Sequence, residues 1–214
     1  MRVLALDTAS SACSVALWSP EGLSGGRFQI MERGQSEALL PMVQHVMAEA
    51  GVTGDDLDLV AVTVGPGAFT GIRIGLSAAR GLGLAWGVRV AGIPCPQAVA
   101  AAIPAEIRKG KTILVLLETK RGDVWAQRLD GDLNPLTPPA SVSAEIAAAM
   151  VASDDLLCGD AAHRFVTHGT PIAACHADAA HLAELACRLV QQGFDLPPVP
   201  LYLRPPDVTM PKRP

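Results

Sequence analysis

The chain has 214 residues, enough for one large domain or two lobes of about 100 residues each. Half of it is hydrophobic and only 18% is charged, a balance that excludes intrinsic disorder. With 17 basic against 21 acidic residues, a formal net charge of −4 and 4% aromatics, it lacks both a basic surplus for a phosphate backbone and the platforms for stacking bases, which argues against autonomous nucleic-acid binding.

A β-hairpin is predicted at the start. Residues 3–6 and 13–18 read as buried strands, and Asp7-Thr8-Ala9-Ser10-Ser11 as a tight polar turn between them. Gly22, Gly25 and Gly26 mark another turn before a short strand over 27–31. A helix is expected from Ser36, an N-cap with Glu37 in the first turn. Leu39, Met42, Val43, Val46, Met47 and Ala50 recur there at helical spacing, up to a stop at Gly51. Pro41 removes one backbone bond and predicts a first-turn kink or a later start. Residues 59–64 form a near-continuous apolar strand of the kind covered on both faces. A glycine-rich loop over 65–71 follows, then a small-residue helix over 72–86, a strand over 89–93 and a short helix over 95–103.

Pro104 and the charged stretch 106–111 change the composition and divide the chain into an N-terminal lobe, 1–104, and a C-terminal lobe, 105–214. Strands over 112–118 and 124–129 flank a turn at 120–123, so the second lobe opens on a hairpin as the first does. A proline-rich loop (134–139), a helix (143–151), a strand (156–158), a helix from His176 or Asp178 to Gln192, and a proline-dense extended tail complete it. The repeated opening points to an internally duplicated α/β architecture.

Arg80 and Arg89 interrupt the most apolar region, and no stretch reaches the ~20 residues of a bilayer span. Asp7 comes too early for a signal peptide. Cys13, Cys95, Cys158, Cys175 and Cys187 contain no CxxC pair and read as buried thiols of a reducing compartment. The expectation is a cytoplasmic protein without a membrane partner.

Gly65, Gly67 and Gly71 let the backbone pass close to another object, and a helix N-terminus beside Thr70 favours an anion. The loop reads either as a phosphate contact or as a tight turn in which Gly71 and Gly75 permit close packing; it matches neither GxxxxGK[ST] nor GxGxxG. Asp7 and Thr8 likewise suit a first phosphate loop near a hydrated magnesium ion, or a solvated turn. His163/His168 and His176/His181 are each five apart, which turns the pair roughly 140° around a helix, and HExxH and GxSxG are absent. No catalytic residue and no metal site is predicted. Two helices stand out for their surfaces. One has the apolar stripe Leu39, Met42, Val43, Val46 and Met47; the other has Gly75, Ser77, Ala78, Ala79, Gly81 and Gly83, which permit close approach. Either face could serve the core or a partner helix.

Leu4-Ala5-Leu6-Asp7-Thr8-Ala9, then Gln35-Ser36-Glu37-Ala38-Leu39-Leu40-Pro41-Met42, then the run from Val64 through Gly65-Pro66-Gly67-Ala68-Phe69-Thr70-Gly71 to Leu76 closely resemble the TsaB (YeaZ) family of tRNA threonylcarbamoyladenosine biosynthesis. The ending Tyr202-Leu203-Arg204-Pro205 is similar too. The resemblance is strong over residues 1–95 and vaguer beyond. It implies an actin/Hsp70-like (ASKHA) two-lobed fold with duplicated ββ-opening mixed-sheet lobes. It also implies a noncatalytic scaffold for a TsaD-like catalytic subunit that helps recruit a TsaE-like ATPase, forms a homodimer when alone, and meets tRNA only through the complex. TsaD carries an HxxxH metal motif, and the matching positions here are Cys95 and Val99, of which Val99 cannot ligate. The implied interface is Leu39, Met42, Val43, Val46, Met47, Ile74 and Ala78. No cofactor is implied beyond weak or vestigial nucleotide binding at Asp7, Thr8, Gly65, Gly67, Thr70 and Gly71. Gln35 stands where the family has histidine, and the second lobe is short for the family. The competing reading is an autonomous nucleotide-dependent transferase or a metallopeptidase-like enzyme.

Overall fold

The computed structural model describes residues 1–119, 121–166 and 169–204; Lys120, His168 and the tail beyond 204 lie outside the described residues. β1 (Val3–Asp7) pairs antiparallel with β2 (Ala12–Ser19), and β2 with β3 (Gly22–Ile30). β4 (Leu59–Gly65) lies parallel to β1 on its other side and β5 (Arg89–Pro94) parallel to β4, for the order β3-β2-β1-β4-β5. The second half repeats this. β6 (Ile113–Glu118), β7 (Val124–Leu129) and β8 (Ala140–Val142) form an antiparallel meander, and β9 (Leu156–Cys158) and β10 (Thr170–Pro171) add in parallel beyond β6. Counted from its own first strand, each sheet runs third, second, first, fourth, fifth. The hairpin repeat visible in the sequence is therefore a duplication of the whole sheet.

The helices are α1 (Gln35–Ala50), α2 (Phe69–Trp86), α3 (Cys95–Ala100), α4 (Ala105–Arg108), α5 (Ala144–Met150) and α6 (Ala179–Gln191). α1 and α2 touch each other and cover one face of the first sheet, α1 over β2 and β3 and α2 over β4. α6, from the far end of the chain, packs on β1 and β2. A row of alanines prepares that docking: Ala16, Ala5, Ala61 and Ala91 are register partners across four strands and all are buried. The Ser14 hydroxyl accepts from Ala179 N–H at 3.0 Å, which puts α6 on the face that Ser14 shares with Ala16. Methyl groups on the sheet and Ala179, Ala183 and Ala186 on the helix let the two backbones approach closely. Both faces of β1 and β4 are thus covered, and every residue of the two strands is buried. Part of the small aliphatic content is spent here.

Five expectations change. The strand expected over 27–31 begins at Gly22, and Gly25 and Gly26 lie within it opposite Leu17 and Ala16 rather than in a turn, which lengthens the hairpin with β2. α1 begins at Gln35 behind Gly34, whose φ of 97° is left-handed; Ser36 lies inside the helix with its hydroxyl on the Glu37 carboxylate at 2.7 Å, so it is not the cap. The helix runs on through Pro41 to Gly51. α2 starts one turn earlier than its small-residue stretch suggested, with Ile72 N–H already bonded to Ala68 O at 2.9 Å. Cys175 is exposed, not buried like the other four cysteines, because it sits in the irregular segment before α6. Among the described residues, no helix is long and apolar enough to cross a membrane.

Candidate functional site

The crevice of the molecule lies where α/β sheets place their sites, beyond the C-terminal ends of β1, β4, β6 and β9. It is a cavity of about 460 Å³ between the lobes. The first lobe contributes Ser10, Ser11, Gly67, Phe69, Thr70, Gly71, Cys95 and Val99, and the second Glu118, Thr119, Trp125 and Asp160.

Asp7 ends β1 behind this wall, fully buried. Its carboxylate accepts from the Thr63 hydroxyl at 2.5 Å, Ala9 N–H at 3.2 Å and the Ser10 hydroxyl at 3.4 Å. Burial dominates those bonds and pushes its pKa up to about 6. Burial, and then Asp7 itself, drives the Cys95 thiol well above its ordinary value, which favours the protonated thiol. Across the cleft, burial also raises Asp160, whose carboxylate accepts from Glu118 N–H at 2.8 Å. The Trp125 indole nitrogen is buried with no hydrogen-bond partner among the described residues.

The object that the glycine loop approaches is this chain's own first turn. A Cβ at Gly67 would lie 2.4 Å from Ala9 O, and at Gly71 2.1 Å from Thr8 O. At Gly75 it would meet the Thr8 hydroxyl oxygen at 2.8 Å. Ala68 N–H donates to Ala9 O at 2.8 Å, and the Thr8 hydroxyl to Gly71 O at 2.7 Å. The space that a side chain would need at these glycines is filled by residues 8–9. Gly67, Thr70 and Gly71 line the cavity, whereas Asp7, Thr8 and Gly65 do not. Close packing accounts for the spacing of Gly67, Gly71 and Gly75 without a ligand. At the HxxxH position the wall is Cys95 and Val99, and the valine has no donor atom to offer a metal. Among the described residues, no group of three or more His, Cys, Asp or Glu side chains is placed to hold a metal ion.

The helix contacts named from the sequence divide in two. Leu39, Val43, Val46 and Met47 are buried in the core under α1; Met42, Ile74 and Ala78 are half-buried against its outside. The outward crest consists instead of Leu40, Pro41, Gln44 and Ala48 on α1 and Ser77, Gly81, Leu84 and Ala85 on α2. Sequence periodicity could not find it, since a helical stripe marks the side facing the sheet. It missed Asp160 and Trp125 too, because neither sits in a recognisable motif.

The family model for TsaD, tRNA N6-adenosine threonylcarbamoyltransferase, matches residues 29–145. The chain is 37% identical over 129 residues to the tRNA threonylcarbamoyladenosine biosynthesis protein TsaB of Escherichia coli (strain K12), covering 59% of this chain and 54% of that protein. It thus spans about half the length of that curated relative. A crystal structure of a Pseudomonas aeruginosa protein described as similar to peptidase YeaZ superposes with a TM-score of 0.82 at 26% identity, covering 95% of this chain and 99% of that one. The activator of 2-hydroxyisocaproyl-CoA dehydratase from Clostridium difficile, at 12% identity and a TM-score of 0.54 over 91% and 98% of the two chains, shares the fold. That fold is the actin/Hsp70-like (ASKHA) one.

Proposed function

This chain belongs to the TsaB (YeaZ) family of tRNA threonylcarbamoyladenosine biosynthesis, and from that membership we propose that it is a noncatalytic scaffold subunit working in the cytoplasm. It binds and supports a TsaD-like catalytic subunit through the outward crest of α1 and α2, helps recruit a TsaE-like ATPase, and meets tRNA only through that complex. The observation that supports the reading is the crest itself. Leu84 is 87% exposed and Leu40 47%, beside Ser77, Gly81 and Ala85, which are small and exposed. Bulky apolar side chains next to small ones suit a second helix pair packing closely. The cleft supports the noncatalytic half of the reading, with Val99 at a ligand position and the buried Cys95 thiol pushed away from ionisation.

The test of the surface is Leu84→Glu. This side chain touches little of the core, so the monomer stays folded while co-elution with a TsaD-like subunit is lost; a folded variant that still co-elutes removes α2 from the interface. Val43→Glu would not serve, because Val43 is 3% exposed and the charge would be buried. The role itself is tested by reconstitution. Modification of tRNA by the TsaD-like, TsaE-like and adenylate-forming proteins should require this chain, and equal modification without it sinks the scaffold reading. Turnover of ATP by the isolated chain would favour the autonomous enzyme instead.

A further inference from the structure

The ending Tyr202-Leu203-Arg204 has no part in a scaffold built on α1 and α2, yet it is among the most heavily tied segments of the chain. After α6 the chain turns back over the first lobe. Leu196 O accepts from Gly92 N–H at 2.9 Å on the outer edge of β5, and Leu201 N–H donates to Val64 O at 2.8 Å. Arg80 of α2 donates to Pro198 O. Tyr202 lies against Phe69 with ring centroids 4.9 Å apart, the Arg73 guanidinium sits 3.8 Å from the Phe69 ring centroid, and Arg73 Nε donates to the Tyr202 hydroxyl at 3.1 Å.

Two glycines admit this segment. A Cβ on Gly92 would lie 2.6 Å from Pro197 O, and one on Gly65 2.7 Å from Leu201 O. Pro197, Pro198 and Pro200 hold the path extended and lower the entropy lost in docking it. Arg204 then leaves the first lobe. It pairs with Asp123, just before β7, and donates to the Ser141 hydroxyl on β8 at 2.5 Å, both in the second lobe. A smaller open cleft of about 180 Å³ lies between Phe69, Trp125, Tyr202 and Arg204 where the segment crosses.

We infer that residues 196–204 are a strap that joins the two lobes across the α2 side of the cleft and fixes its width. The glycine loop is one half of this joint, through Gly65, Phe69 and Arg73, and the Tyr202-Leu203-Arg204 ending is the other. A cleft held this way does not hinge freely about the chain crossings between the lobes, and the cavity keeps one shape. The strap also occupies the Arg73–Arg80 flank of α2 and leaves the Ser77–Leu84 crest open.

The test uses the chain alone, with the labelled chain diluted into excess unlabelled chain so that only distances within one copy are read. Spin labels are attached through Gln44→Cys on α1 and Ser153→Cys in the second lobe, in a Cys175→Ser background where the remaining cysteines are buried. The parent should give one narrow distance distribution. Arg204→Ala cuts only the second-lobe anchor and Tyr202→Ala only the stacked one; each should broaden the distribution roughly twofold while circular dichroism stays native. Ending the chain after Leu196 should broaden it further. Unchanged widths in both point variants overturn the strap, whether or not the truncated chain folds.

Discussion

The two lobes repeat one topology but hold their cleft-facing turns by different means. In the first, Asp7 to Ala9 are buried and locked by backbone contact with the glycine loop, so closely that no side-chain carbon fits between them. In the second, the turn after β6 is tied by side chains: both Glu118 carboxylate oxygens accept from Arg164 at 2.9 Å, Gly122 O accepts from the same guanidinium at 3.0 Å, and the Thr119 hydroxyl donates to Asp123. The Arg164 and Glu118 side chains are 28% and 30% exposed. The sheets differ in the same sense. The first has long helices on both faces, while the outer face of the second is covered by the seven-residue α5 over a small core of its own around Leu114, Leu116 and Ala147, beside the ion pair Arg128–Asp155. Duplication thus leaves one turn that a single methyl group would break, and another that depends on salt-sensitive charges.

The largest effect expected from that contrast is at Gly71. Gly71→Ala drives a Cβ onto the Thr8 carbonyl oxygen, backbone against backbone, and should cost about 3 kcal/mol in urea denaturation. A cost below about 1 kcal/mol would mean that the two loops are not locked.

Next comes Asp7. Its folded pKa of about 6 lies above the ordinary value of 3.8, so the native state binds the proton more tightly than the unfolded chain does. The stability from this group is fully present below about pH 4 and is lost as pH rises through 6. Asp7→Asn abolishes that dependence, so relative to the parent it should gain on the order of 2–3 kcal/mol between pH 4 and pH 8. A flat difference between the two denaturation series would show that the carboxylate is not held in a buried, uncharged form.

The second turn should respond more mildly. Gly122 has φ of 87° and open space around its missing Cβ, so Gly122→Ala meets only the left-handed backbone cost, about 1 kcal/mol. A cost equal to that of Gly71→Ala would erase the distinction between the turns.

Local elements were legible because strands and turns announce themselves in short windows: both hairpins, the burial of β4 and the Gly51 stop of α1 follow from residue type and spacing. β8 and β10, three and two residues long, have no periodicity to detect. The cleft was legible only from its first-lobe loops. Its other wall depends on Glu118 and Asp160 meeting Gly67 and Cys95, which is a matter of how the lobes close. The alanine row was invisible for a related reason: Ala5, Ala16, Ala61 and Ala91 are unremarkable singly and become a surface only in register. Arg73 and Tyr202 are 129 residues apart, so their contact had no local signal either.

The smallest effect belongs to Arg164→Ala, and its value lies in its salt dependence. The pair with Glu118 is bidentate, which favours it, but both side chains are partly solvated and long-range attraction is screened. The expected loss is about 0.5 kcal/mol at low salt, shrinking further in 1 M sodium chloride. Gly71→Ala, a steric lesion, should show no such shrinkage. Measuring both variants at two salt concentrations therefore separates the mechanisms more sharply than either cost alone. If the Arg164→Ala loss is large and indifferent to salt, the second turn is held by packing after all, and the two halves of the duplication have kept the same design.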